Sequence, residues 1–443
     1  MSDYMFMLEN HLNPEQNRVV AEVRHAAAIH KMAVYLTGGA MRDMLGGFPI
    51  RDLDFAVEGD AVKLVKTLVK ETGAKSLSQD SVRRTEELRF PGGVTAEIGM
   101  ARSERYARPG GKPHVSPATI REDLLNRDFT VNAIALSLNE PSLGLLIDPT
   151  NGLADLEHRE LRAVHSYVFF DDPLRILRLE RFRVRLGFTV EEKTLQQLAN
   201  AREAEVEKLI PSRKLYEEMR HIANDPNPAG VVRALDEARL LTLFSPALEG
   251  PKINIASLAR LEKAVQTIPF GVDLGLDCTG LFIYFLNEKL SSKERTALIR
   301  GTGMTAAEAR EWQQIDTRAK KLQKALDSRK LQKPSEVYRL LAGARPEETI
   351  FLLVRSESRL AHDRIKNYLQ KYLPAAREVT DQEVRATGVK PDTPAFAKAR
   401  NALIAEKLDT RKRKEPPAPE PTPTPAPEPA PRGRFRRARA PAY

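Results

Sequence analysis

The hydrophobic period of this chain changes once, and that change limits what it can fold into more than any other feature. Up to about residue 150, short apolar runs alternate with helical stretches. AVYLT (33–37), RDLDFAV (51–57), LRF (88–90) and VTAEIGM (94–100) read as strands. Residues 14–31, with Pro14 near the start, and DAVKLVKTLVKETG (60–73), with its glycine stop, read as helices. From about 165 to 405 the period is helical almost throughout, with breaks at 225–230, 244–252 and 390–394. No tandem repeat stands out. The expected class is α+β: a small mixed sheet with its helices, followed by all-α domains and a disordered C-terminus.

Charge qualifies this picture. The net charge is +10, but from Arg411 onward nine Lys/Arg against three Asp/Glu supply +6 of it. The remainder therefore carries only +4, weak grounds for an RNA-binding reading of the folded part. The stretch from Glu415 is a Pro/Ala tract ending in an arginine cluster, too polar and proline-rich to pack. Cys278 is the sole cysteine, which excludes a disulfide framework and a cysteine metal cluster. No apolar run approaches a membrane span, and MSDYMFMLENHLNPEQ lacks the order of a secretory signal, so a cytoplasmic protein is expected.

Within the first part, "LTGGAMRDMLGGFPIRDLDFAVEGD" (36–60) poses a chemical problem. Asp52 and Asp54 lie two apart in a strand-like run, so their side chains share a face while Leu53 and Phe55 point the other way. Two carboxylates aimed at one point suit a hard cation such as Mg²⁺. Glu97, inside another strand, is a candidate third ligand, and three carboxylates suit a pair of metals in phosphoryl transfer. The alternative is a surface strand with outward acids. Gly38-Gly39, after a strand and before the short helix AMRDML, can bring backbone N–H groups to an anion, or can simply form a turn needing positive φ. A P-loop is excluded, because no Gly-Lys-Ser/Thr follows, and the spacing of a dinucleotide fingerprint is missing.

Taken in order, these pieces resemble the head of class II tRNA nucleotidyltransferases (CCA-adding enzymes) and bacterial poly(A) polymerases, within the polymerase-β-like superfamily. The likeness continues through AEIGMARSERYARPGGKPHV (96–115), REDLLNRDFTVNAIAL (121–136), IDPTNGLADLEHRELRAV (147–164), FDDPLRILRLERFRVRLGF (170–188) and IPSRKLYEEMRHIA (210–223). It covers about 36–245, with a weaker echo at 379–396.

The resemblance implies roles. Asp52 and Asp54 would be catalytic metal ligands, joined by Glu97, with Mg²⁺ in a two-metal site. Gly38, Gly39 and Arg42 would lie at the nucleotide's triphosphate, while Arg127, Asp128 and Asn132 would hold sugar and phosphates. Asp172 and Arg175 would read the base, with Arg178 beside them. Physically, residues three apart on a helix converge on one ligand edge. Cytosine and adenine both offer an amine donor beside a ring-nitrogen acceptor, which a carboxylate and a guanidinium match; guanine and uracil present the reverse. Asp172-Pro173 also reads as a helix N-cap, and the roles of Arg181 and Arg185 stay open between ligand contact and a solvated face.

This chain departs from the family at Glu97 (usually Asp), Asn126 (usually Arg) and Asp171 (usually Glu). Residues 75–93 are either a flexible element or an ordinary hairpin connection. His362-Asp363 reads as a surface pair and not as a phosphohydrolase site, because the histidines are scattered. The expected organisation is a head (1–165), a helical neck (166–245), a helical body and tail (246–410) and a disordered tail (411–443). The expected activity is template-independent addition of CMP and AMP, from CTP and ATP, to a tRNA or other RNA 3′ end. A-only, CC-only or poly(A) addition and a catalytically silent RNA-binding relative are the alternatives. The oligomeric state is not legible.

Overall fold

The computed structural model describes residues 3–269, 272, 274–391 and 393–410. The expected disorder of 411–443, with its arginine cluster, lies outside the described residues. Two helices come first, α1 (Asp3–His11) and α2 (Pro14–Ile29). An Asn13/Gln16 capping box and Pro14 at the first position start α2. β1 (Ala33–Thr37) runs directly into α3 (Gly38–Leu45), followed by β2 (Leu53–Glu58) and α4 (Ala61–Thr72). Asp60 caps α4, and Gly73, at φ 73°, ends it in the left-handed conformation.

The strands β3 (Lys75–Asp80), β4 (Thr85–Arg89) and β5 (Thr95–Met100) follow; β6 (Arg102–Tyr106) and β7 (Pro113–Pro117) form a separate ribbon. After α5 (Ile120–Leu125) come β8 (Ala135–Ser137) and β9 (Leu146–Ile147). The main sheet has the order β3-β4-β5-β2-β1-β8-β9. It is mixed, because β2 and β5 pair in parallel while the other neighbours run antiparallel. Central β2 is apolar on both sides beyond Asp54: Leu53, Phe55, Ala56 and Val57 are all buried, so the alternation of acids and apolar residues at its start does not continue. Of the two readings of 75–93, the structure has the hairpin, β3 paired with β4.

From α6 (Gly152–His158) onward the chain is helical, with α7 (Val168–Asp171), α8 (Leu174–Leu186), α9 (Glu192–Glu203) and α10 (Ser212–Ala223) leading into further helices. One correction applies to the all-α expectation. Thr189–Val190 pairs in parallel with Glu160–Leu161, a two-residue ladder that is too short to show a period. The described residues fall into two compact units, one through Pro374 and one from Ala375. In the second, Lys407 pairs with Glu378 and Arg400 with Asp381. The first holds a continuous apolar core that runs from the helices over the sheet into the helical segments. His362 lies half-buried on the helix Arg359–Asn367, with Asp363 exposed beside it, so the pair is not wholly at the surface. Among the described residues no helix is long and apolar enough to cross a membrane.

Candidate active site

The sheet aligns the acids. Thr37 at the end of β1 lies opposite Asp54 on β2, and Asp54 lies beside Glu97 on β5. Where β1 ends the chain turns at Gly38, at φ 64°, and starts α3. The Gly39 N–H donates to Asp54 Oδ2 at 3.0 Å. A Cβ on Gly38 would stand 2.9 Å from that same oxygen, so the position needs glycine for both conformation and space. Strand β2 begins at Leu53, one residue later than the sequence implies for a strand carrying both aspartates. Asp52 sits in the preceding bend, is exposed, and accepts from Thr95 Oγ1 at 2.9 Å. The two carboxylates are thus held by different neighbours, the turn and β5.

Burial pushes the Asp54 carboxyl up to about 7, with Glu97 and then Asp52 adding repulsion against Arg127 and the Gly39 amide. Glu97 is open to solvent along one side, yet desolvation pushes its carboxyl up too, opposed by Arg102 and Arg127. Among the described residues no three His, Cys, Asp or Glu side chains converge tightly enough to form a ready-made metal cluster. The donor set nevertheless fits a hard divalent cation: oxygen ligands only, and a central carboxylate whose acidic neighbours disfavour its charged form.

A prediction follows from the sign of that shift. A carboxyl raised from 3.8 to about 7 contributes stability that is complete below pH ~4 and lost as pH rises through about 7. A cation replaces the proton, so its apparent affinity is expected to be roughly 30-fold weaker at pH 5.5 than at pH 8. Melting curves of the stripped protein titrated with Mg²⁺ check this, and Asp54→Asn is expected to flatten the pH dependence.

Around the carboxylates lies a chain of paired polar groups. Arg127, beside Asp54 and Glu97, is anchored by Asp123 at 3.0 and 2.6 Å. Asp128 is buried; one oxygen accepts from the Phe129 N–H and from Asn132 Nδ2, the other from Arg178 at 2.8 and 2.5 Å. Arg42 is also buried. It donates to Asn132 Oδ1 at 2.8 Å and grips Asp43 Oδ1 at 2.8 and 2.6 Å. Arg42, Asp128 and Asn132 therefore hold one another directly behind the glycine turn.

On α8, Arg175 is buried. Its Nη2 donates to the Asn126 carbonyl at 2.7 Å, while Nη1 makes no hydrogen bond. Asp172 accepts from the Leu174 N–H at 3.2 Å, so it does the capping work. Asp171 lies 3.8 Å from His165. Arg181 pairs with buried Glu218 and Arg185 with Asp43, so neither faces solvent as a bare cation. Asn126 bridges α5 and the ribbon, donating to the Glu122 carbonyl and accepting from the Glu104 N–H.

Several participants were missed by the sequence reading: Asp43, Asp123, and Arg83, which pairs with Glu104 and feels the charge of Asp172. An acid on the apolar side of AMRDML and the Asp123/Arg127 spacing of four were the available signals.

Comparison with known proteins agrees with this geometry. Residues 34–162 match the Poly A polymerase head domain family. An A-adding tRNA nucleotidyltransferase of Geobacter sulfurreducens is 26% identical over 86% of this chain and 43% of its own length. Another from Aquifex aeolicus is 30% identical over 77% of this chain and 40% of its own, so the chain spans under half the length of these curated relatives. A solved CCA-adding enzyme in an apo form superposes with a TM-score of 0.54 at 25% identity, over 94% of this chain and 96% of the other. The Thermotoga maritima CCA-adding enzyme in complex with tRNA gives a TM-score of 0.51 at 25% identity, again over 94% and 96%. Residues 34–162 thus form a Poly A polymerase head domain, and the chain as a whole is similar to tRNA nucleotidyltransferases.

Proposed function

We propose that this protein adds nucleotides, taken from CTP and ATP, to the 3′ end of tRNA without a template, building or repairing the CCA end. The observation that carries the reading is the carboxylate line Asp54–Glu97, with Asp52 near it, set against a glycine turn. Asp52, Asp54 and Glu97 would hold divalent ions, with Mg²⁺ the ion of choice. Bound there, such ions would acidify the RNA 3′-hydroxyl and neutralise the departing pyrophosphate.

The chain's own groups do the positioning. The Arg127 guanidinium would meet phosphate oxygens, keeping its aim through Asp123, while the Gly39 N–H fixes Asp54. Arg175, whose buried Nη1 has no partner, would turn it toward a ring nitrogen of the bound base. Asp172 uses one oxygen for its cap and presents the other to an exocyclic amine. Arg178 and Asn132 fix Asp128, and through it the floor on which sugar and phosphates rest. In this reading 1–165 is the catalytic head, 166–245 the neck that reads the nucleotide, and 246–410 the part that grips tRNA. With CTP, ATP and tRNA as its partners, the working compartment is the cytoplasm.

Base reading makes a quantitative prediction. Arg175→Met removes the donor to the ring nitrogen, and is expected to lower preference for CTP and ATP over UTP and GTP by about 10–100-fold, the 1–3 kcal/mol of one bidentate pair. Single-nucleotide incorporation with each of the four triphosphates measures it. The function itself is tested by incubating the protein with tRNA lacking its last three nucleotides, CTP, ATP and Mg²⁺, and sequencing the product ends. Addition of C, C and A supports the reading. Addition of A alone to tRNA ending in CC would align it with the A-adding relatives, and long A-tails on unstructured RNA would replace CCA addition with polyadenylation.

A further inference from the structure

Two arginines of α8 lie two helical turns apart and each reaches a different acid of the head. Arg178 reaches Asp128, which follows α5, and Arg185 reaches Asp43 Oδ2 in α3 at 2.8 Å. The two acids are joined through the head itself: Asp43 to Arg42, Arg42 to Asn132, Asn132 to Asp128. The result is a closed loop of polar contacts, Arg178–Asp128–Asn132–Arg42–Asp43–Arg185, completed by the helix backbone between the two arginines. Inside it sits Phe182, with the guanidinium carbons of Arg42, Arg178 and Arg181 at 5.1, 5.5 and 4.7 Å from its ring centre.

Asp43 is buried, and both its oxygens are taken, one by Arg42 and one by Arg185. Its helix, α3, starts at the glycine turn that touches Asp54; α8 starts beside Asp172 and Arg175. Arg175, Arg178 and Arg185, spaced three and seven apart, share one face of α8. That face is tied to the head at Asn126, Asp128 and Asp43. Loss of the far tie removes the polar restraint at the end of α8 away from Asp172, leaving its angle to the head set by core packing and by the near ties, so that a small tilt would displace the base-reading end relative to the carboxylates.

We infer that Asp43 and Arg185 are positioning residues that set the distance between the head's carboxylates and the base-reading end of α8, so that selection of C and A depends on a pair touching no nucleotide. The inference rests on the nucleotide-transfer reading above and deepens it. Misplacement by an ångström at a bound substrate costs about a hundredfold, and hydrogen-bond reading of an edge is the contact most sensitive to it.

The test compares wild type, Arg185→Met and Arg185→Lys in single-nucleotide incorporation into a tRNA primer, with kcat and KM measured for CTP, ATP, GTP and UTP. The ratio of kcat/KM for CTP over GTP is expected to fall about tenfold in Arg185→Met, with recovery of part of the loss in Arg185→Lys, which keeps the charge. A purely structural role would lower all four rates in step with melting temperature and leave the ratio alone, and that result would overturn the inference. If Arg185→Met does not fold, Arg185→Gln, which removes the charge and shortens the reach, decides in its place: an altered ratio supports the clamp, and a wild-type ratio rejects it. Wild type incorporating no nucleotide at all would instead sink the transferase reading, a distinguishable failure.

Discussion

Asp54→Asn is expected to reduce nucleotide incorporation about 10³-fold or more while leaving the fold as stable as before, or more so. On the proposed transferase reading, the activity loss follows from removing one charged oxygen ligand from a site where fixed charge would stabilise the transfer by several kcal/mol. The stability forecast runs against the usual effect of a buried substitution. In the folded protein burial, Glu97 and Asp52 push this carboxyl up to about 7, so at pH 8 its ionised form weakens the fold. Asparagine keeps the shape and an oxygen for the Gly39 N–H, and sheds the charge. In divalent-free buffer at pH 8 its melting temperature should therefore equal or exceed that of wild type by ~1–3 °C. Scanning fluorimetry beside a primer-extension assay reads both effects. A variant that is inactive because it unfolds would contradict the forecast.

Asp128→Asn should behave in the opposite way. This carboxylate is buried and takes two hydrogen bonds from Arg178, one from Asn132 and one from the Phe129 N–H. Against its own burial, Arg178 and Arg175 hold its carboxyl far below the usual carboxylate range. Breaking such a pair from one side costs about 3–5 kcal/mol, because the remaining charge is left unpaired. The loss should fall toward the lower end, since the Arg178 side chain keeps 32% exposure and recovers some hydration. A depressed carboxyl adds stability that is present above its unfolded pKa and disappears as pH falls through the folded one. Wild type should therefore lose this contribution below pH ~4, and the variant should show a flatter acid limb. Denaturant unfolding across that range, with incorporation measured alongside, is the check.

The contrast between these two aspartates shows how far the sequence could be read. Strand and helix positions were legible because β1, β2, α3 and α4 obey local rules: apolar runs, a Gly-Gly turn, an Asp60 cap and a Gly73 stop. Acids in a strand next to that turn pointed at Asp54 and Asp52, although Asp52 proved to lie in the bend before the strand. What spacing cannot encode is choice of partner. Nothing local says that Arg185 seeks Asp43, 142 residues away, or that Arg181 seeks Glu218. These pairings are decided by how α8 packs on the head and on α10. The arginine-rich face of α8 looked equally suited to RNA and to water, and the structure commits three of its side chains to acids of the protein itself.

Asn126 teaches the same lesson in reverse. The short Asn126 side chain bridges the Glu104 N–H and the Glu122 carbonyl, and its own carbonyl receives Arg175. A residue that removes a charge on paper thus helps hold Arg175 in the fold. Of the two readings open to Asp172, the structure shows the cap, one oxygen accepting from the Leu174 N–H.

The most direct test of the central claim is a crystal of this protein grown with Mn²⁺ and a non-hydrolysable CTP analogue, measured at the manganese absorption edge. The account predicts anomalous density at about 2.1 Å from carboxylate oxygens of both Asp52 and Asp54, with the analogue's phosphates on the far side. Density that avoids both aspartates, in protein that still extends an RNA primer, would contradict it.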